Sequence, residues 1–126
     1  MSVNSKDKGA RYERELASKF REYGFDTHRS AQYCGNSGEA ADVVGLPFIH
    51  VEAKRQEKSM LYDWMAQAKW DSRKSGRLPA VFFRKSQHNT LVFMELDDWM
   101  KLYQAFYECR MEDAIADEAE KETDAG

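Results

Sequence analysis

A chain of 126 residues with 42% hydrophobic residues has material for one hydrophobic core and too little for two. No apolar run approaches the roughly 20 residues of a membrane span, and the polar start Met-Ser-Val-Asn-Ser-Lys-Asp-Lys lacks the apolar stretch of a secretory signal, so a cytoplasmic protein is expected. The net charge of -3 conceals an asymmetry: through Thr90, 16 Lys and Arg stand against 11 Asp and Glu, whereas from Leu91 onward 3 stand against 11. A basic body of this kind permits a polyanionic partner. Cys34 and Cys109 form no CxxC pair, and His28, His50 and His88 show no paired spacing, which argues against a structural zinc site.

Residues 1–8 read as a flexible lead-in. Over 9–23, Tyr12, Leu16, Phe20 and Tyr23 recur at helical spacing, and Gly24 supplies a stop. Residues 25–30 fit a short strand, and Gln32, Gly35, Asn36, Ser37 and Gly38 mark a turn-rich loop suited to mobility or close approach of a ligand. Residues 41–46 and 48–54 read as two strands of a hairpin turning at Gly45-Leu46-Pro47. Helical spacing returns over 59–74 through Leu61, Trp64, Met65 and Ala68, and Ser75-Gly76 ends it. Two more strands, 79–85 and 91–96, flank Gln87-His88-Asn89, and Asp97 or Asp98 can cap a last helix carrying Trp99, Leu102, Tyr103 and Phe106. Past Met111, seven acidic residues and one lysine offer little to bury. The expected organisation is a flexible N-terminus (1–8), one domain (9–111) and a disordered acidic tail (112–126), with an α/β sandwich around a mixed sheet.

Three local patterns carry chemistry. On a helical wheel, at about 100° per residue, the stripe of Tyr12, Leu16, Ala17, Phe20 and Tyr23 includes one charged residue, Glu13. A buried carboxylate needs a cation or a hydrogen-bond network, so Glu13 is either half of a buried ion pair or a functional group. In Phe48-Ile49-His50-Val51-Glu52-Ala53-Lys54, period-two alternation places Ile49, Val51 and Ala53 on one face and His50, Glu52 and Lys54 on the other. Asp42 interrupts an apolar strand that would otherwise exclude it, and the hairpin can bring it beside Glu52. Two carboxylates and a lysine converging in this way fit a hard Mg²⁺ site, with Lys54 serving the attacking water or the phosphate. An ion network that only holds the hairpin predicts the same residues without a metal.

These residues carry a resemblance. Lys8-Gly9-Ala10-Arg11-Tyr12-Glu13-Arg14-Glu15-Leu16, Gly24-Phe25, Arg29-Ser30-Ala31, Asp42 and Glu52-Ala53-Lys54 resemble the archaeal-type Holliday junction resolvases and their phage-encoded PD-(D/E)XK relatives, over roughly residues 8–108. The resemblance implies a restriction-endonuclease-like sandwich, a central mixed β-sheet flanked by helices. It also implies a catalytic set of Glu13, Asp42, Glu52 and Lys54. The metal, Mg²⁺ with Mn²⁺ as a substitute, would be held by Asp42, Glu52 and the Ala53 backbone carbonyl, with Glu13 acting through water. Ala41 stands where the family often has a proline before the aspartate; that proline has no chemical role.

The implied partner is DNA, four-way junctions or other branched forms, met by a symmetric homodimer. Its interface is expected on the 59–74 helix and the final strand around Phe93. Candidate DNA contacts are Arg29, Ser30, Arg55 and Lys58, and Gln67 contacts either the substrate or its own fold. A duplex- or flap-directed nuclease of phage replication or restriction is the alternative enzyme. A catalytically silent nucleic-acid-binding module has no need of all four catalytic residues.

Overall fold

The structure, a computed structural model, describes residues 5–30 and 41–124. The glycine-containing loop expected over 32–39, with Ala31 and Cys34, lies outside them. The chain divides between Met94 and Glu95 into two compact units. The first holds helix α1 (Ser5–Glu22), strands β1 (His28–Arg29), β2 (Val43–Val44) and β3 (Ile49–Arg55), helix α2 (Leu61–Ser72), and strands β4 (Leu78–Arg84) and β5 (Leu91–Phe93). The second holds one helix, α3 (Leu96–Asp124).

In the first unit the five strands lie in the order β1-β2-β3-β4-β5. β1 with β2, β2 with β3 and β4 with β5 are antiparallel, while β3 and β4 are parallel, so α2 is the crossover between them. The mixed sheet with flanking helices is the architecture expected from the sequence.

Alternation along the two central strands divides the core. Val51 of β3 and Ala80 and Phe82 of β4 pack with Tyr12, Leu16 and Ala17 of α1. Val81 and Phe83 of β4 pack with Trp64 and Ala68 of α2. Both faces of β4 are therefore covered, which is why 79–83 reads as an unbroken apolar run. Side chains as fully covered as Val51 and Val81 each contribute about 1.5–3 kcal/mol by leaving water.

α1 starts at Ser5, so the expected lead-in is already helical over its last four residues. The helix ends as Gly24 predicts. Gly24 takes a left-handed φ of 98°, its N–H donates to the Arg21 carbonyl at 2.9 Å, and the Phe25 N–H donates to the Phe20 carbonyl at 3.1 Å. That reversal turns Tyr23 out of the expected core stripe, and it is 73% exposed. Thr27 then fastens β1 to α1: its hydroxyl donates to the Ala17 carbonyl at 2.7 Å, and its own carbonyl accepts from Arg21 at 2.6 Å. The β2–β3 turn needs Gly45, whose φ is 99°, because a Cβ there would strike the Asp26 carbonyl.

α3 differs most from the expectation. It begins at Leu96, so Asp97 and Asp98 lie inside its first turn, where carboxylates oppose the helix dipole favourably, rather than at a cap. It also continues to Asp124, through the segment expected to be a disordered tail. The stretch has no Gly or Pro, is rich in Ala and Glu, and spaces Asp117 and Lys121 at i,i+4, so local propensity makes a helix where there is no core to bury. Among the described residues, no helix is long and apolar enough to cross a membrane.

Candidate active site

The β2–β3 hairpin builds the site. Val43 is in register with Val51 on the α1 side, which places the preceding Asp42 beside Glu52 on the α2 side. Backbone bonds fix Asp42 from both flanks: its N–H donates to the Val51 carbonyl at 2.9 Å, and its carbonyl accepts from the Ser30 N–H at 2.9 Å. The Ala53 N–H donates to the Asp42 Oδ2 at 2.7 Å, so the carboxylate is aimed along β3.

The two carboxyl groups differ in charge. Burial, and next the neighbouring Glu52 charge, push Asp42 up to about 8, against a partial offset from the Ala53 amide. Burial acts on Glu52 in the same sense, but the neighbouring His50 imidazole, hydrogen bonding with Asp42 and the Lys54 ammonium outweigh it and hold Glu52 below the usual range. At neutral pH the pair therefore retains one proton, on the Asp42 side.

This has a consequence for the metal-free protein. Folded Asp42 keeps its proton up to about 8, whereas the unfolded chain releases it near 3.8, so stability falls as pH rises through that window. Glu52, being depressed, has the opposite sign and acts only below the ordinary carboxylate range. In chelator, the melting temperature should fall by about 5 °C or more between pH 5 and pH 8, the size of a ~1 kcal/mol loss in a domain like this. Asp42→Asn should flatten that dependence. A wild-type midpoint constant over the range would mean that Asp42 is already ionised at pH 5.

Glu13 lies on α1 with its side chain 13% exposed, and its Oε2 accepts from Arg29 Nε at 2.6 Å. The cation that a covered carboxylate on this stripe requires is thus Arg29, and Glu13 still contributes to raising Asp42. Lys54 leaves β3 on the Glu52 side and donates from Nζ to Gln67 Oε1 of α2 at 3.3 Å. Gln67 therefore steadies the lysine.

The residues singled out for DNA are dispersed. Arg29 is held by Glu13, and Ser30 is buried with its backbone committed to Asp42. Arg55 donates to Glu57 at 2.8 Å and to Ser86 at 3.2 Å, while Lys58 is exposed on the segment that leads to α2. Two residues outside the expected set lie near the carboxylates. His50, on the same face of β3 as Glu52, has its Nε2 3.9 Å from Glu52 Oε1. Asp71, in the last turn of α2, is raised by burial and by the Glu52 charge. Alternation placed His50 on the Glu52 face; the α2 register that delivers Asp71 could be drawn only with the crossover known. A cavity of ≈ 660 Å³ lies between α1 and β4–β5, lined by Tyr12, Glu15, Phe82 and Arg84 among others. It gathers no group of carboxylates comparable to that at the hairpin.

Comparison with known proteins agrees with this geometry. The fold is similar to that of a Holliday junction resolvase from an archaeal hyperthermophile, Archaeoglobus fulgidus Hjc, with a TM-score of 0.54 and 22% identity over 69% of this chain and 72% of the other. At that identity the likeness establishes a shared fold. No curated protein sequence matches the chain. The sequence model for the phage putative PDDEXK endonucleases matches residues 4–125, including the acidic segment that α3 carries. With the hairpin carboxylates and the lysine in place, the chain belongs to the phage putative PDDEXK endonuclease family.

Proposed function

We propose that this endonuclease hydrolyses phosphodiester bonds in DNA with Mg²⁺ as its working ion, and that its substrate is a four-way junction or a related branched form. The observation that carries the reading is the Asp42–Glu52 pair, two covered carboxyl groups placed together by the β2–β3 register, one of them obliged to keep a proton. A proton retained near pH 8 marks a place where positive charge is wanted. A divalent cation fits the donor set, because Asp42, Glu52 and the Ala53 carbonyl offer the few hard oxygens that Mg²⁺ takes while it keeps its waters. When bound, the ion neutralises charge on the phosphate and acidifies water. Lys54, held by Gln67, presents an ammonium beside Glu52 for the attacking water or the phosphate oxygens. Glu13 tethers Arg29, whose guanidinium stands at the same end of the sheet to receive a phosphate.

A symmetric homodimer suits such a substrate, since resolving a junction takes two incisions related by a two-fold axis and the described residues of one chain offer one such carboxylate pair. α3 supports a second copy as the partner. Leu96, Trp99, Met100, Tyr103, Phe106, Tyr107 and Met111 lie along one side of it at helical spacing, and all are exposed. Within the first unit, the α2 and Phe93 region expected from the sequence also carries exposed aromatic residues, Tyr62 and Trp70. The reading places the enzyme's work in the cytoplasm.

A four-way junction labelled on each strand in turn, assayed beside linear duplex, flap and single-stranded controls in Mg²⁺, tests the substrate. Paired cuts on opposed strands are expected, with the junction favoured over duplex by at least about tenfold, or ~1.4 kcal/mol. Sedimentation should show a dimer. A monomer that nicks linear duplex as fast as the junction would identify a duplex-directed nuclease instead.

A further inference from the structure

The α2-facing side of β3 contains two buried polar atoms without a hydrogen-bond partner among the described residues, His50 Nε2 and Glu52 Oε1. They are 3.9 Å apart, beyond hydrogen-bond length, and their side chains are 1% and 4% exposed. Leaving one such group unsatisfied costs about 1–3 kcal/mol, so two together point to a ligand that both can reach. Asp71 arrives at the same point from α2. One ligand atom from each of His50, Glu52 and Asp71 lies within 4.8 Å of the others. His50 also lines a cavity of ≈ 310 Å³ with Ala41, Val44, Ser75 and Arg77.

We propose that His50, Glu52 and Asp71 form a second divalent-cation site that shares Glu52 with the Asp42 pair and takes a borderline transition ion such as Mn²⁺ or Zn²⁺. The donor set decides the class of ion. Mg²⁺ is bound through oxygen, whereas an imidazole nitrogen with two carboxylates suits first-row transition ions. His50 Nε2 is unprotonated when it coordinates, so the Nδ1 of the ring carries the proton. Glu52 then turns Oε1, the oxygen opposite His50, to this site, which leaves its other oxygen for the Asp42 pair. The number of ions expected rests on the Asp42–Glu52 reading above, whereas His50 and Asp71 belong to this site alone.

Mn²⁺ tests the proposal, since free and bound ion can be counted by electron paramagnetic resonance on the full chain. Two Mn²⁺ per chain are expected, one of them displaced by excess Mg²⁺ and the other retained. The retained ion should show nitrogen coupling from the imidazole. Asp71→Asn and His50→Gln should each weaken the retained ion by at least about tenfold while leaving the Mg²⁺-displaceable one bound. His50 is fully buried, so circular dichroism and melting must first show that its variant folds; Asp71→Asn, at the half-buried end of a helix, carries the test if it does not. Two ions bound as in wild type by both folded variants, or a retained ion without nitrogen coupling, would overturn the site. One ion in all, lost in Asp42→Asn and kept in Asp71→Asn, would overturn it while leaving the Asp42 pair standing. One ion lost in Asp71→Asn and kept in Asp42→Asn would support this site and defeat the Asp42 reading.

Discussion

Asp42→Asn and Glu52→Gln are each expected to lower Mg²⁺-dependent cleavage at least about a thousandfold, or ~4 kcal/mol in the barrier, while the chain stays folded and still binds DNA. The size follows from what each side chain touches. Asp42 is fixed by the Val51 carbonyl, the Ser30 N–H and the Ala53 N–H, so its carboxylate cannot be replaced by a neighbour swinging in. An asparagine oxygen can still accept the Ala53 N–H, which preserves the hairpin, but the group that would exchange its proton for a cation is gone. The same exchange removes a buried charge, so in chelator at pH 8 the Asp42→Asn chain should melt above wild type. DNA affinity should rise slightly in Glu52→Gln, where a group ionised at neutral pH leaves the site, and stay near wild type in Asp42→Asn, which replaces a protonated one. Single-turnover cleavage, melting curves and a binding titration on one preparation separate these effects. Wild-type cutting rates in either variant would remove the pair from the chemistry.

Lys54→Ala is expected to lose about a hundredfold to a thousandfold in cleavage, ~3–4 kcal/mol, with Mg²⁺ uptake retained. The ammonium acts on Glu52 from the side, as one of the influences that depress it, and that role is shared with His50 and Asp42. Removing it should let Glu52 rise modestly and weaken the ion a few-fold. The loss in rate should be far larger, since no other cation among the described residues is placed by a bond like that from Lys54 Nζ to Gln67 on the Glu52 face. Gln67→Ala should reproduce a small part of the loss, because the lysine remains and has only lost its tether. Calorimetric titration with Mg²⁺ beside single-turnover rates distinguishes the two roles. Abolished ion uptake in Lys54→Ala would show that the lysine chiefly holds the carboxylates in place.

The carboxylate site was legible in the sequence because its geometry is local. Alternation places Glu52 and Lys54 on one face of β3, and a two-strand hairpin turning at Gly45 sets Asp42 opposite them. Glu13 was legible as a charged residue on an apolar stripe, but its partner Arg29 lies on β1, and only the packing of α1 against that edge pairs them. His50 has no ligand spacing to another histidine along the chain. Its companions are Glu52 two residues on and Asp71 across the crossover, a distance that only folding closes. The extent of α3 is hidden in the sequence for another reason. Past Met111 the chain has little to bury, yet alanine and glutamate without glycine or proline suffice for a helix.

β3 bears two kinds of constraint on alternate residues. Ile49, Val51 and Ala53 belong to the α1 side, where shape and volume matter, while His50, Glu52 and Lys54 belong to the side where charge and donor atoms matter. One strand thus separates inheritance of foldability from inheritance of activity. A lineage can exchange valine for isoleucine on the first set without touching turnover, and another can lose the second set and persist as a folded, inert binder. In this chain, changes of volume and changes of charge can therefore be made along one strand and read out separately, the first in melting and the second in cleavage.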